Sequence, residues 1–401
     1  MLLLALACTK DEVIDSSVDL DCSTADYSLI PASSGELEGG WDAERNRFVF
    51  FGGNMGVPVD CSPSATDFTA STWAFNTDCG DFEAIAEGPA ARGRYASAID
   101  AERGLWLIHG GRFRDGDGGG GHGGDDYTLY DELWGLDLAT DTWSLLHTGG
   151  PKARVNHVAE IIDGQFVIYG GNTSKSGASF RVRSDVWSYD IDGNAWTELS
   201  PGGDDPGGRL FHASARGDDG TIYVYGGGDE NAFFGPFFGD LFALDTASWT
   251  WTQLHDGSGA APDGRIVPNL AVDDDNNRVI LFGGHDDGEL GNTNQIWSFD
   301  LGTGAWTELS AGDVYANEAL GQCDFPADFT TVDLESPERR YSAASAEVDG
   351  GLMIFGGKTD CGVINDVWTW DFAAESWTEN SSATSGEVCL RAFAECESLC
   401  F

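Results

Sequence analysis

A glycine-rich stretch at residues 114–126, RDGDGGGGHGGDD, concentrates oxygen donors suited to a metal ion. Carboxylates alternate with glycines at its start, and hard cations such as Ca²⁺ prefer oxygen ligands. The spacing lacks a complete EF-hand pattern and histidine is an unusual Ca²⁺ ligand, so a solvated glycine loop without a metal is the alternative. The candidate metal ligands are Asp115, Asp117, His122, Asp125 and Asp126.

A second set of side chains is a series of arginines, each placed three residues after a proline. A guanidinium group binds a carboxylate or phosphate through two parallel hydrogen bonds. The same group also bonds backbone carbonyls or an aspartate inside a fold, so the residue type leaves both roles open. The five arginines are Arg92, Arg154, Arg209, Arg265 and Arg340.

The nine cysteines divide into one near the N terminus and eight others. Cys8 ends the segment MLLLALAC, which looks like the end of a lipoprotein signal whose cysteine is lipidated after cleavage. The remaining eight would form four disulfides in an oxidising compartment. These eight are Cys22, Cys61, Cys79, Cys323, Cys361, Cys389, Cys396 and Cys400.

A repeated pattern must position these side chains. Six short apolar runs end in a Gly pair, and each is followed by two aromatic residues nine positions apart. β-Branched and aromatic residues favour strands, whereas glycines and Asp-Gly sequences favour tight reversals. The Gly pairs begin at Gly52, Gly110, Gly170, Gly226, Gly283 and Gly356. The aromatic pairs are Trp73 and Phe82, Trp134 and Trp143, Trp187 and Trp196, Phe242 and Trp251, Trp297 and Trp306, and Trp368 and Trp377.

Each unit contains four short strands, because a strand of small residues precedes the Gly-pair strand and an aromatic hairpin follows it. Such a unit cannot bury both of its faces alone, so neighbouring units must stack and the ring must close. His157 and His212 occupy one repeat position, which Tyr95 fills in another unit. This interchange indicates a packing and hydrogen-bonding role for the two histidines.

The Gly pair after an apolar strand, the following W-x-Y/F/L-D strand and the next Trp resemble the kelch repeat over about residues 35 to 380. The chain looks like a bacterial exported kelch repeat-containing protein. The resemblance implies an all-β fold, a six-bladed kelch-type β-propeller with four antiparallel strands per blade. Its large aromatic rings are expected to wedge between adjacent blades.

The predicted organisation is one ring with two tails. Residues 1–8 are a signal-like or lipoprotein-like segment, 9–33 an acidic tether, 34–380 the propeller and 381–401 a Cys-rich tail. The predicted blades span about 34–90, 91–150, 151–205, 206–261, 262–312 and 337–380, with an insertion at 313–336.

The long loops of blades one and two and the insertion at 313–336 are expected to open on one face, where we look first for a ligand. In kelch adaptor proteins, which this chain resembles, arginines at the start of the first strand contact acidic peptides. Carried over by position, the five arginines would form an incomplete ligand-binding ring near a pore mouth. The alternative is that each bonds carbonyls or an aspartate of the neighbouring blade.

Loop topology also suggests disulfide pairs. The loop after the second strand of a blade and the connection between blades open on the same face, so Cys323 is expected to meet Cys361. The same argument pairs Cys22 with Cys61. Cys79 and the three cysteines of the tail remain, and a bridge from the tail to blade one would help to close the ring.

The formal net charge of −46 leaves no basic surface for a phosphate backbone, so nucleic acid is excluded as a partner. The acidic residues keep a secreted protein hydrated, and Ca²⁺ is the cofactor to consider where they cluster. We expect an extracytoplasmic monomer, at the cell surface or secreted, with membrane contact only through a lipid anchor.

These observations favour a non-catalytic binding module that recognises a protein, peptide or glycan through its loop-rich face. The alternative is a carbohydrate-active kelch enzyme, similar to sialic acid mutarotase or, with weaker support, galactose oxidase. Nothing in the sequence selects an acid and a base, and G-x-S-x-G, H-E-x-x-H and P-loop motifs are absent. Convergent titratable groups in one pocket would favour the enzyme.

Overall fold

The computed structural model describes residue 22 and residues 28–56, 67–114, 127–176, 179–232, 235–286, 291–315, 330–331, 333–359 and 362–384. Within these residues the fold is all-β and consists mainly of four-stranded antiparallel sheets that follow one another along the chain. One short 3₁₀ turn occurs at Asp274–Asn276. The all-β prediction and the prediction of four antiparallel strands per blade are confirmed.

The described part of the chain contains five such four-stranded sheets and one five-stranded sheet, which we number as blades one to six in chain order. Their strands are Glu38–Asp42, Arg47–Phe51, Ser71–Asn76 and Asp81–Glu87 in blade one; Ala96–Asp100, Leu105–His109, Glu132–Asp137 and Thr142–Thr148 in blade two; Val158–Ile162, Gln165–Tyr169, Val186–Asp190 and Ala195–Leu199 in blade three; Ala213–Arg216, Ile222–Tyr225, Leu241–Asp245 and Thr250–His255 in blade four; Asn269–Asp273, Arg278–Phe282, Ile296–Asp300 and Ala305–Ser310 in blade five; and Ala344–Val348, Gly351–Phe355, Val367–Asp371 and Ser376–Ser381 in blade six.

Short two-residue segments pair with one another or with a blade strand, outside the four main strands of each blade. Gly202–Gly203 adds in parallel to the last strand of blade four. The other short pairs are Arg112–Phe113 with Thr128–Leu129, Arg265–Ile266 with His285–Asp286, Val314–Tyr315 with Thr330–Thr331, and Arg340–Tyr341 with Lys358–Thr359, which also pairs with Gly362–Val363.

The second strand of each blade is almost fully buried because its two faces pack against the two neighbouring blades. This explains why these strands read as continuous apolar runs and not as alternating ones. Aromatic rings join the blades at one repeated contact, between the residue before a Gly pair and the second aromatic residue of the following blade. Ring centroids lie 4.9 to 6.0 Å apart in Phe51–Trp143, His109–Trp196, Tyr169–Trp251, Tyr225–Trp306, Phe282–Trp377 and Phe355–Phe82.

The last of these contacts joins blade six to blade one, so the ring closes by packing. Blade one takes its four strands from 38–87 and blade six from 344–381, and no strand is exchanged between them. The backbone N–H of Gly357 also donates to Ser34 O, and Asn365 Nδ2 donates to Pro31 O at 2.9 Å. N-terminal residues therefore seal the junction between the first and last blades.

The disulfide of the described residues joins Cys22 to Cys79 and corrects the predicted pair Cys22–Cys61. Cys79 lies in the turn between the third and fourth strands of blade one. Cys79 is therefore bridged to the N-terminal segment and not to the C-terminal tail. The other cysteines, including Cys8, Cys61, Cys323, Cys361, Cys389, Cys396 and Cys400, lie outside the described residues, so their roles stay predictions.

The ends assigned to the tether and the tail also stay predictions, because residues 1–21 and 385–401 lie outside the described ranges. Where the structure describes the chain, it contains no helix with the length and hydropathy needed to cross a bilayer.

Candidate functional site: a cationic mouth on the loop face

Six residues, one at the start of each blade, form a closed hydrogen-bonded circle at one end of the central channel. Each donates its backbone N–H to the carbonyl of the equivalent residue in the preceding blade, at 2.6 to 3.3 Å. All six have φ between +51° and +63°, the left-handed region that non-glycine residues rarely adopt. This conformation turns each N–H toward one neighbour and each carbonyl toward the other. The six residues are Glu36, Arg94, Asn156, Phe211, Val267 and Ser342.

A second set of six residues surrounds this circle, one directly after each Gly pair. Each pairs through its backbone with the residue just before the circle member of its own blade. The pairing holds the second set beside the channel opening, although the side chains differ from blade to blade. These residues are Asn54, Arg112, Asn172, Gly228, His285 and Lys358. The two sets together define what we call the mouth.

Three cations of the mouth converge on one carboxylate. Glu36 accepts from Arg94 Nη2 at 3.1 Å, from Arg112 Nη2 at 2.9 Å and from Lys358 Nζ at 2.5 Å. The side chain of Glu36 is 1% exposed, whereas its three partners keep 10 to 14% of their side-chain surface exposed. Three positive charges and one negative charge leave a net charge of +2 at the mouth of a chain whose net charge is −46.

The electrostatics of this cluster follow from burial and from the surplus of cations. Burial alone raises the pKa of Glu36, but Arg112, Arg94 and Lys358 outweigh it and hold the pKa well below its usual range. Burial lowers the pKa of Lys358, Arg94 and Arg112 lower it further, and Glu36 opposes them. Glu36 is therefore ionised, and an additional anion would relieve repulsion among the cations.

Aromatic rings support the cations from the side. The guanidinium of Arg112 lies 4.2 Å from the ring centroid of Tyr127, and that of Arg114 lies 4.8 Å from the same ring. Arg94 lies 5.0 Å from the ring of Phe211. Phe211 belongs to an apolar cluster with Leu210 and other residues of blades three to five. The cations of the mouth therefore lie beside an apolar patch centred on Phe211.

Below the mouth, the first strands of the blades line a cavity of about 400 Å³. Its wall includes Glu38, Glu160 and Glu347. Burial, and then repulsion from Glu160, raises the pKa of Glu38 to about 8. Burial raises the pKa of Glu160 to about 7, although Ser214 donates to it at 2.6 Å. Burial likewise raises the pKa of Glu347 to about 7. The three carboxyl groups below the mouth are therefore neutral below these raised pKa values and negative above them, so the charge of the channel depends on pH.

The five arginines predicted as ligand-binding lie inside the blades, 0 to 1% exposed. Each donates to the first glycine carbonyl of the Gly pair in its own blade: Arg92 to Gly110, Arg154 to Gly170, Arg209 to Gly226, Arg265 to Gly283 and Arg340 to Gly356. Each also bonds one side chain at the start of the third strand: Glu132, Asp185, Asp240, Gln295 and Asp366, respectively.

The backbone of the same arginines joins adjacent blades. The carbonyl of Arg92 accepts from Gly53 N of blade one, and the carbonyls of the other four accept equivalently from the preceding blade. The geometry does not support the predicted ligand clamp, because the guanidinium groups are buried and paired. It supports the alternative, in which the arginines bond groups of the fold itself. The alternative placed these groups in the neighbouring blade, whereas each arginine side chain bonds its own blade.

The predicted Ca²⁺ ligands Asp115, Asp117, His122, Asp125 and Asp126 lie outside the described residues, so that site stays a prediction. Elsewhere, in the ranges that the structure describes, no group of three or more His, Cys, Asp or Glu is placed to hold a metal ion. His157 Nε2 lies 3.0 Å from His109 Nδ1, and the ring of His212 packs on Tyr169. The contact of His157 is consistent with a packing and hydrogen-bonding role between blades, and that of His212 with packing.

Sequence reasoning missed the residues of the cationic cluster. Arg94 lies two positions after Arg92, and Arg112 and Lys358 each follow a Gly pair directly. The available signal was variation: at these positions the six units carry different residue types, whereas Arg recurs at the position of Arg92. A residue type that recurs between units is expected to stabilise each unit, whereas a residue type that differs between units is available to bind a ligand.

A closed ring of antiparallel sheets around an axial channel defines this protein as a β-propeller. The chain belongs to the kelch-repeat family, since the family model "KLHDC2/KLHL20/DRC7 Kelch-repeats domain" matches residues 43–267, 156–318 and 256–396.

Individual relatives agree with this assignment. Rat Kelch domain-containing protein 10 is 25% identical over 276 residues, which is 68% of this chain and 61% of that protein. Human Kelch domain-containing protein 3 is 31% identical over 157 residues, 37% of this chain and 39% of that protein. The Drosophila leucine-zipper-like transcriptional regulator 1 homolog is 26% identical over 270 residues, 65% of this chain and 24% of that protein. The match to the rat protein thus spans about three fifths of its length.

Proposed function

We propose that this protein is a non-catalytic interaction module that binds an acidic peptide segment of a partner protein at the mouth of the propeller. The observation that carries the proposal is the convergence of Arg94, Arg112 and Lys358 on a single carboxylate in a chain of strongly negative net charge. Membership of the kelch-repeat family supports a role in protein interaction.

The chemistry of the mouth favours an anion next to an apolar group. The two guanidinium groups suit a carboxylate, and their partial burial strengthens charge interactions relative to open solvent. The partly buried residues that pack against Phe211, among them Phe180, Val182 and Ile266, provide apolar surface for a hydrophobic side chain of the same peptide. A ligand with acidic and apolar residues side by side would match both the cations and this apolar patch.

The test is fluorescence anisotropy with a labelled peptide of alternating Asp and Leu, compared with its Asn and Leu counterpart. We expect the acidic peptide to bind preferentially and Arg112→Gln to weaken its binding at least tenfold. Arg103→Gln is the matched control, because Arg103 pairs with Asp100 and Asp192 at strand ends away from the mouth. Equal binding of both peptides, or equal effects of both substitutions, would refute the proposal.

A carbohydrate-active enzyme remains a second candidate because Glu38, Glu160 and Glu347 share one cavity and have pKa values raised into the neutral range. Such groups are suited to exchange protons with a sugar hydroxyl near pH 7. Polarimetry with sialic acid tests this candidate. A catalysed mutarotation that Glu160→Gln slows while Arg112→Gln leaves it unchanged would place the chemistry in the channel.

We also propose an extracytoplasmic location. The Cys22–Cys79 disulfide supports it, because such bonds persist mainly in oxidising compartments. Mass spectrometry of the protein isolated under alkylating conditions is the test. Free thiols at both positions in freshly isolated protein would count against this location.

A further inference from the structure

Glu36 occupies the place in the mouth that an anionic ligand would seek. It is the carboxylate on which Arg94, Arg112 and Lys358 converge, and it is more deeply buried than any of the three. Arg112 Nη2 lies 2.9 Å from one carboxylate oxygen of Glu36 and 3.1 Å from the other. A carboxylate from outside would therefore share its cations with a carboxylate that is already bound.

The same residue links three blades. Glu36 begins blade one, Arg94 and Arg112 belong to blade two, and Lys358 follows the Gly pair of blade six. The backbone N–H of Glu36 also donates to Ser342 O of blade six, so side chain and backbone both bridge the ring junction. Glu36 therefore holds the cations in position while it neutralises part of their charge.

We propose that Glu36 is an internal competitor that sets the affinity of the mouth for anionic ligands, a role that rests on the proposed peptide-binding function. An incoming carboxylate bound to the same cations is repelled by Glu36, because the two like charges lie within a few ångströms of each other. The cations in turn repel one another less while Glu36 is present. The charge of Glu36 therefore stabilises the ring but weakens the binding of an anionic ligand.

The first experiment measures both effects in the same samples. Glu36→Gln removes the charge but keeps an oxygen that accepts hydrogen bonds, whereas Glu36→Asp keeps the charge and serves as the matched control. We expect Glu36→Gln to bind the alternating Asp and Leu peptide about tenfold more tightly than the unmodified protein and to melt at a lower temperature. Glu36→Asp should change affinity by less than about threefold.

The outcome that overturns the proposal is weaker binding in Glu36→Gln together with the lower melting temperature. That result would mean that Glu36 only supports the architecture of the mouth. A purely architectural residue cannot raise affinity when it is replaced, so the direction of the change separates the two roles.

A second experiment uses Glu36→Ala, which removes the carboxylate and leaves three unneutralised cations around a vacated space. Acetate has the functional group that was removed. We expect acetate to raise the melting temperature of Glu36→Ala by several degrees more than chloride at equal ionic strength. The difference between the effects of acetate and chloride should be smaller in the unmodified protein, where Glu36 already neutralises part of the cationic charge. A Glu36→Ala protein that responds equally to both anions would refute an anion-binding space at this position.

The two proposals fail in different ways. If Arg112→Gln does not alter peptide binding, the mouth is not the peptide site and the proposed function fails. If Arg112→Gln abolishes binding while Glu36→Gln leaves affinity unchanged, the site stands and the competitor role of Glu36 is wrong.

Discussion

Arginine has two different roles in this ring, and two positions along the chain separate them. Arg92 is 0% exposed and bonds Gly110 O and Glu132, both in its own blade. Arg94 reaches the mouth and bonds Glu36 of the preceding blade. Arg94 has a left-handed backbone and belongs to the circle at the channel opening, whereas the side chain of Arg92 is buried inside its own blade.

The buried arginines are therefore expected to control stability. In Arg154→Met the carboxylate of Asp185 loses a bidentate partner that now holds its pKa below the usual range. Removing one partner of a buried ion pair costs about 3–5 kcal/mol. Asp185 keeps Trp187 and Arg183 as donors, so we expect a loss in the free energy of unfolding at or below the lower end of that range. Urea denaturation followed by tryptophan fluorescence is the measurement. A loss no larger than that of Arg103→Gln, which removes a half-exposed ion pair, would contradict this role.

At the scale of the element, the Gly pairs matter because adjacent blades approach there. Gly226 has φ +69°, and a Cβ on it would lie 2.7 Å from the carbonyl oxygen of Arg265 in the next blade. Gly104 has φ +60° in a turn where a Cβ would meet nothing within 4 Å. Both glycines adopt a positive φ, and only at Gly226 would a Cβ also collide with the neighbouring blade.

This contrast gives a matched pair of variants. Gly104→Ala should cost about 1 kcal/mol in the free energy of unfolding, because alanine is strained at positive φ. Gly226→Ala should cost roughly 2–3 kcal/mol more, because the blades must also move apart. Denaturant unfolding of both variants is the check. Equal losses would show that the glycine is required only for its backbone angle.

The interface between blades two and three carries a buried histidine pair at a position where blades one and two have Phe51 and Tyr95. Burial, then Arg154 and Arg92, lowers the pKa of His109 to about 3. Burial, followed by His109, Arg154 and His212, lowers the pKa of His157 well below its usual value. The unfolded chain therefore binds more protons than the folded one below about pH 6.5.

The stability that depends on this pair is present above about pH 6.5 and is lost as the pH falls toward the folded pKa values. The double variant His109→Phe, His157→Tyr copies the neighbouring interface and removes both titrating groups. We expect its melting temperature to fall less between pH 7.5 and pH 5 than that of the unmodified protein. If the melting temperatures of the two proteins fall by the same amount between pH 7.5 and pH 5, other titrating groups control the acid sensitivity.

At the scale of the whole molecule, the ring closes without strand exchange, so closure depends on packing and on the N-terminal segment. The Phe50 and Phe355 rings stack at 4.0 Å across the junction. Ser34 donates to Ile364 O and accepts from Gly357, which continues the interblade pattern of the buried arginines with a different residue type. Cys22–Cys79 fixes the segment that precedes these contacts to blade one.

Removal of this disulfide should weaken the closed ring. The two cysteines are 57 residues apart, for which the chain-entropy estimate is about 4 kcal/mol. We expect the free energy of unfolding of the double variant Cys22→Ala, Cys79→Ala, measured in denaturant, to be about 2–4 kcal/mol lower than that of the unmodified protein. Any sensitivity to reducing agents that remains in the double variant would report on other disulfides. Unchanged stability would mean that the N-terminal segment stays in place through its noncovalent contacts.

The fold was predictable from the sequence because the propeller repeats one unit. Gly pairs, aromatic pairs and small-residue strands recur in register, so the order and type of the strands of each blade follow from local pattern and burial. Repetition alone leaves two roles open for the five arginines, a contact with ligand and a bond within the fold. The geometry favours the second role, because each arginine bonds the carbonyl of the Gly pair in its own blade.

The candidate site depends on tertiary structure. Glu36 and Lys358 are 322 positions apart and meet only because blade six closes on blade one. The Cys22–Cys79 pair likewise depends on the path of the N-terminal segment, which loop topology alone did not predict. The sequence by itself determined which elements form, because hydrophobic pattern and turn chemistry act locally. Only ring closure decided which charges share one mouth, because it brings together side chains from distant, non-equivalent positions.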